Sequence, residues 1–72
     1  MTPQAKLKKY DGTTGEIVST RNTILTRAEI IESIKCFWPY VVLEFDEDAT
    51  MANVYDKKGD EHPAFTFEIC DL

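Results

Sequence analysis

Apolar and polar residues recur along this chain with two different periods, and the change of period divides it into elements. In TRAEIIESIKCFW, residues 26 to 38, Ile30, Ile31, Ile34, Phe37 and Trp38 fall at i, i+1, i+4, i+7 and i+8. That spacing gathers them on one side of a helix. Thr26 and Glu29 stand three apart. This is the spacing of a capping box, in which the hydroxyl accepts from the Glu29 N–H and the carboxylate from the Thr26 N–H. Leu25 before the cap and Ile30 at the fourth helical position match a hydrophobic staple. Pro39 stops the helix by pushing the residue before it out of helical geometry. The pattern predicts a helix from Arg27 to Phe37, with Trp38 at its end.

After Pro39 the period drops to two. Val41, Leu43 and Phe45 alternate with Tyr40, Val42, Glu44 and Asp46, which predicts a strand with one buried face. TMANVYDKKGDEHPAFTFEIC reads as a hairpin with strands over 51–55 and 64–70. DKKGD supplies its turn, with Gly59 free to take positive φ. Phe65, Phe67 and Ile69 then share one face, and Thr66, Glu68 and Cys70 the other. Residues 40–70 are thus expected to form a three-stranded meander. The first twenty residues alternate more weakly around a turn-like centre at 11–15. They predict a hairpin with Ala5 and Leu7 inward and Lys6 and Lys8 outward; a loose tail is the alternative. Lysines there suit an exposed edge strand.

The expected order is β-β-α-β-β-β in one domain spanning residues 1–72. The fold class is α+β: two layers, one amphipathic helix on a single antiparallel sheet. The helix would pack on Val41, Leu43, Phe45, Phe65, Phe67 and Ile69. One helix covers one face only. The other face would carry Tyr40, Val42, Thr66 and Cys70 beside Glu44, Asp46 and Glu68.

Size and charge narrow the function. A chain of 72 residues buries only about 60% of its unfolded surface, enough for one thin core and no large internal cavity. An apolar content of 43% is too high for a disordered chain. The net charge of −5 is uneven: residues 1–38 hold six Lys/Arg and four Asp/Glu, giving +2, and residues 39–72 hold two Lys and nine Asp/Glu, giving −7. The acidic half disfavours direct binding to nucleic acid or to an anionic membrane. It suits solubility or a basic protein partner. No apolar run reaches the ~18 residues of a membrane span. MTPQAKLKKY lacks the apolar stretch of a secretory signal, so a cytoplasmic location is the expectation. Cys36 and Cys70 are then read as free thiols, with a Cys36–Cys70 bridge as the alternative for a secreted form.

Catalytic and metal motifs fail one by one. A calcium loop needs oxygen ligands at positions one, three and five, and Gly at six. Counted from Asp46, position six is Met51; counted from Asp56, position three is Lys58. Cys36, His62 and Cys70 are the only soft ligands, without the paired short spacing of a zinc site. A Cys36–His62 nucleophile pair meets the negative end of the helix, which opposes a thiolate. No phosphate-binding glycine pattern is present. No catalytic residue, cofactor or metal is expected.

What remains is LEFDED, residues 43–48. In a strand, Glu44 and Asp46 point to one face roughly 6.6 Å apart. Asp48 continues that line and Glu68 adds to it from the last strand. Carboxylates beside Tyr40 and Val42 make a stripe suited to protein recognition. The expected partner-binding residues are Tyr40, Val42, Glu44, Asp46, Asp48 and Glu68. In size, acidity and lack of catalytic motifs the chain is similar to small acidic inhibitors of phages and mobile elements, the anti-CRISPR and anti-restriction proteins. That resemblance implies an inhibitor that blocks a basic, nucleic-acid-binding groove. A homo-oligomer, a homodimer in its simplest form, is the second expectation. A small metal- or thiol-dependent enzyme is the third.

Overall fold

The computed structural model describes residues 2–72. Five strands and one helix follow in the expected order: β1 (Ala5–Asp11), β2 (Ile17–Thr23), α1 (Arg27–Phe37), β3 (Val41–Phe45), β4 (Ala49–Val54) and β5 (Phe65–Asp71). The strands form one antiparallel sheet in the order β2-β1-β5-β4-β3, and the helix packs on one face. The fold is α+β.

Local chemistry explains the elements. Thr26 Oγ1 accepts from the Glu29 N–H at 3.2 Å, and Glu29 Oε1 accepts from the Thr26 N–H at 3.1 Å. Two otherwise orphaned helix donors are thereby satisfied. At the far end the Trp38 N–H reaches the Ile34 carbonyl, and Trp38 is already extended before Pro39. In the β1–β2 turn, Asp11 Oδ1 accepts from the N–H groups of Thr13 and Thr14, at 2.7 and 3.1 Å. These bonds to the ionised form hold the Asp11 carboxyl below the usual carboxylate range. Gly15 supplies the positive φ that this turn needs.

Ala5, Ile30, Ile34, Ala52, Val54, Phe67 and Ile69 are buried, with Leu7, Ile31, Trp38, Val41, Leu43 and Phe65 packed around them. Trp38 packs edge-to-face on Phe65 and at a tilt on Phe67, with ring centroids 5.3 and 5.5 Å away. Arg27 pairs with Asp71 at 3.3 Å and pins the start of the helix to the end of β5.

Two expected core residues lie outside this core. Phe37 is 78% exposed and Phe45 is 72% exposed. The helix sits over β4 and β5, in the middle of the sheet. Phe45 ends the outermost strand, beyond the reach of the helix. Phe37 instead borders an open groove with Leu7 of β1 and Arg21 and Thr23 of β2.

The lysine-bearing strand is also placed differently. β1 is not an edge; it is flanked by β2 and β5. Its alternation explains why: Ala5 and Leu7 face the helix, and Lys9 lies over the Phe65 ring with its Nζ 4.4 Å from the centroid. The two edges are β2 and β3.

Candidate functional site

Register defines the face that the helix leaves open. One row across it reads Val42, Asn53, Thr66, Tyr10, Ile17; the next reads Glu44, Met51, Glu68, Lys8, Thr20. Val42 and Glu44 lie on this face as the alternation requires. Val42 is 52% exposed. Tyr40 precedes β3 and accepts from the Tyr55 N–H through its carbonyl at 2.8 Å. With Val42, Tyr55 and the turn carrying Lys57 and Lys58 it borders an open groove of about 430 Å³.

The expected stripe breaks at two points. Asp46, Glu47 and Asp48 form the β3–β4 turn, closed by the Asp46 N–H on the Ala49 carbonyl at 2.9 Å, so Asp48 does not continue the strand. Glu68 sits two strands from Glu44 with Met51 between, roughly 9–10 Å away across the sheet. Glu68 is also occupied. Lys8 Nζ lies 3.6 Å from its Oε1, and the Tyr10 hydroxyl donates to the same oxygen at 3.1 Å. Burial, first, and the bond to Glu68, second, push the Tyr10 phenol above its ordinary value. Beside them Thr66 donates to Asn53 Oδ1 at 2.9 Å.

The open face is therefore graded. Its centre is a neutralised network of Tyr10, Glu68, Lys8, Thr66 and Asn53. Its β3 rim carries Glu44 and the three turn carboxylates, all exposed, and none of the four makes an ion pair among the described residues. Exposed Tyr40 and Val42 stand beside them, while exposed Phe45 turns to the helix-facing side of the strand. Sequence alternation reached Glu44 and Val42. It missed the pairing of Glu68, because Lys8 is 60 residues away in the chain and only the central position of β1 brings the two together. It also missed Lys57 and Lys58 beside Tyr40.

The thiols do not meet. Cys36 is on the helix, whereas Cys70 shares the open face with Lys6 and Ala49. Among the described residues, no three His, Cys, Asp or Glu side chains converge as a metal site would require. Among the described residues, no helix is long and apolar enough to cross a membrane. No family model, curated protein or solved structure matches this chain.

Proposed function

We propose that this protein is a non-enzymatic protein-binding module, and that the β3 rim of its sheet is the recognition surface. The observation that supports this reading is the company the rim carboxylates keep. Glu44, Asp46, Glu47 and Asp48 are exposed and unpaired among the described residues, and exposed Tyr40 and Val42 stand beside them, with Phe45 exposed on the other side of the same strand. Aromatic and aliphatic anchors with flanking charge are what protein interfaces use. The charge selects a basic partner, and a nucleic-acid-binding groove is one basic surface of that kind. An inhibitor that occupies such a groove is the form of the function this surface serves best. Glu68, held by Lys8 and Tyr10, contributes to the shape of the face more than to its charge.

The test is capture from host lysate with the native protein beside a Glu44→Lys, Asp46→Lys, Asp48→Lys variant. A basic protein retained by the native chain, released by salt and absent from the variant supports the reading. Equal retention by the variant contradicts it.

A further inference from the structure

The helix covers only part of its side of the sheet. It packs on β4 and β5, and a groove of about 190 Å³ opens between its last turns and the β1–β2 side. Leu7, Ile30, Ile34, Phe37, Trp38 and Phe67 form its apolar walls. The groove lies on the opposite side of the sheet from Val42 and Glu44, and β1, β5 and β4 separate β2 from β3.

Two polar side chains of β2 share this groove. Leu7 pairs with Arg21 and Ala5 with Thr23, so Arg21 and Thr23 stand on the helix-facing side. Both line the groove. Arg21 makes no ion pair among the described residues. Thr23 Oγ1 accepts from the Leu25 N–H at 3.0 Å, which leaves its own proton to donate. The groove thus sets hydrogen-bond donors and a cation against an apolar wall, and no carboxylate lines it.

The surrounding acids are engaged elsewhere. Glu29 is turned back onto the Thr26 N–H, and Asp71 pairs with Arg27. Glu32 lies 3.7 Å from Lys35. Asp11, at the far end of β1, accepts from Thr13 and Thr14. Lys9, diagonal to Arg21 on the same side, adds a second cation over the Phe65 and Phe67 rings. Apart from Phe67, every lining residue belongs to residues 1–38, the half of the chain with a charge of +2.

We propose that this groove binds a small aromatic carboxylate. A cavity of about 150 Å³ takes one benzene ring, so the groove has room for one ring and a short acid tail. Phe37, Trp38 and Phe67 offer that ring the edge and tilted contacts that aromatic pairs favour. Its carboxylate meets the Arg21 guanidinium, with the Thr23 hydroxyl as a further donor. Phe37, 78% exposed in the free chain, is covered by the ligand. The site uses no residue of the β3 rim, so it stands independently of the binding function proposed above.

The experiment is a titration with hydrocinnamate, read by the fluorescence of Trp38, the only tryptophan, and by backbone amide shifts. A ligand of this size is expected to bind with a Kd of about 1 mM, shifting Leu7, Thr23, Ile34 and Phe37 and leaving the β3 rim unchanged. Arg21→Gln is expected to weaken the acid about fivefold and to leave the neutral amide, hydrocinnamamide, as it was. Added salt should weaken the acid and not the amide. Phe37→Ser, at an exposed position, should weaken both, with folding checked by circular dichroism. No saturable response in the native chain overturns the proposal. So does equal affinity of the native chain for acid and amide, or an Arg21→Gln variant that binds the acid as well as the native chain does. Acetate bound as tightly as hydrocinnamate would reduce the site to an ion contact and overturn it too. A blocked peptide ending in phenylalanine that binds where the free acid does not would assign the groove to a peptide terminus instead.

Discussion

Lys8 and Glu68 face each other across β1 and β5, and Tyr10 donates its hydroxyl proton to the carboxylate oxygen that Lys8 approaches. This contact ties residues 60 positions apart and fixes the electrostatics of the open face. It makes the middle of the sheet neutral and leaves the unpaired acid at the β3 rim.

Tyr10→Phe removes that donor. The expected loss is about 1 kcal/mol, a typical net value for a partly exposed hydrogen bond. In a chain of this size that is a fall of about 4–8 °C in melting temperature. The pH dependence has a definite sign. A phenol whose pKa is raised in the folded state binds its proton more tightly there. Its stabilisation is complete below the unfolded value of 10.0 and is lost as pH rises through the folded value. Stability of the native chain should decline above about pH 10, and that of Tyr10→Phe should decline less. Equal alkaline slopes would contradict the assignment.

Thr50 is fully buried on the helix-facing side of β4, and its Oγ1 has no hydrogen-bond partner among the described residues. A buried hydroxyl without a partner carries a desolvation cost of about 1–3 kcal/mol. Thr50→Val keeps the branched shape and removes the hydroxyl. It is expected to stabilise the fold by about 1 kcal/mol, read as a higher urea midpoint at unchanged slope. A lower midpoint would mean that the hydroxyl has a partner.

Gly12 lies where the β1–β2 turn meets the segment before β5. Its N–H bonds the Ala64 carbonyl at 3.1 Å, and a Cβ at Gly12 would stand 1.8 Å from the Pro63 carbonyl oxygen. The obstruction is backbone, so it cannot swing aside. Gly12→Ala is expected to cost about 3 kcal/mol, as overpacking does, and to exceed Gly15→Ala. Gly15 has open space around it but φ of +76°, so its substitution carries backbone strain of about 1 kcal/mol. Thermal melts of the two variants give the order directly.

Asp11 gives an acid-side test. Its carboxyl is depressed by the Thr13 and Thr14 N–H bonds. The stabilisation is therefore present above the ordinary carboxylate range and lost as pH falls through the lower folded value. Asp11→Ala should destabilise the chain at neutral pH and converge with the native protein in strong acid. A pH-independent difference would assign the effect to packing instead.

The helix and the meander were legible because their signals are local. The Thr26–Glu29 box, the stop at Pro39 and the Phe65–Phe67–Ile69 alternation need no knowledge of the rest of the fold. Strand order was not legible. No local pattern states that β5 inserts between β1 and β4, and that insertion decides the fate of Glu68, Lys8 and Lys9. The same gap explains Phe45: its alternation is that of a core residue, but its position on the outermost strand exposes it. Phe37 fails for a related reason, since the helix centres on β4 and β5 and Phe37 borders Arg21 and Thr23 of β2 instead of the core. At the site, Glu44 and Val42 followed from alternation, whereas the end of β3 at Phe45 places Asp46 and Asp48 in a turn.

The claim that the β3 rim is the recognition surface is tested most directly by residue-resolved amide exchange on the native protein, with and without its captured basic partner. Protection and shifts concentrated on Tyr40, Val42, Glu44 and the 46–48 turn are the expected result. Protection confined to the helix or to β2, with the β3 rim unchanged, would contradict it.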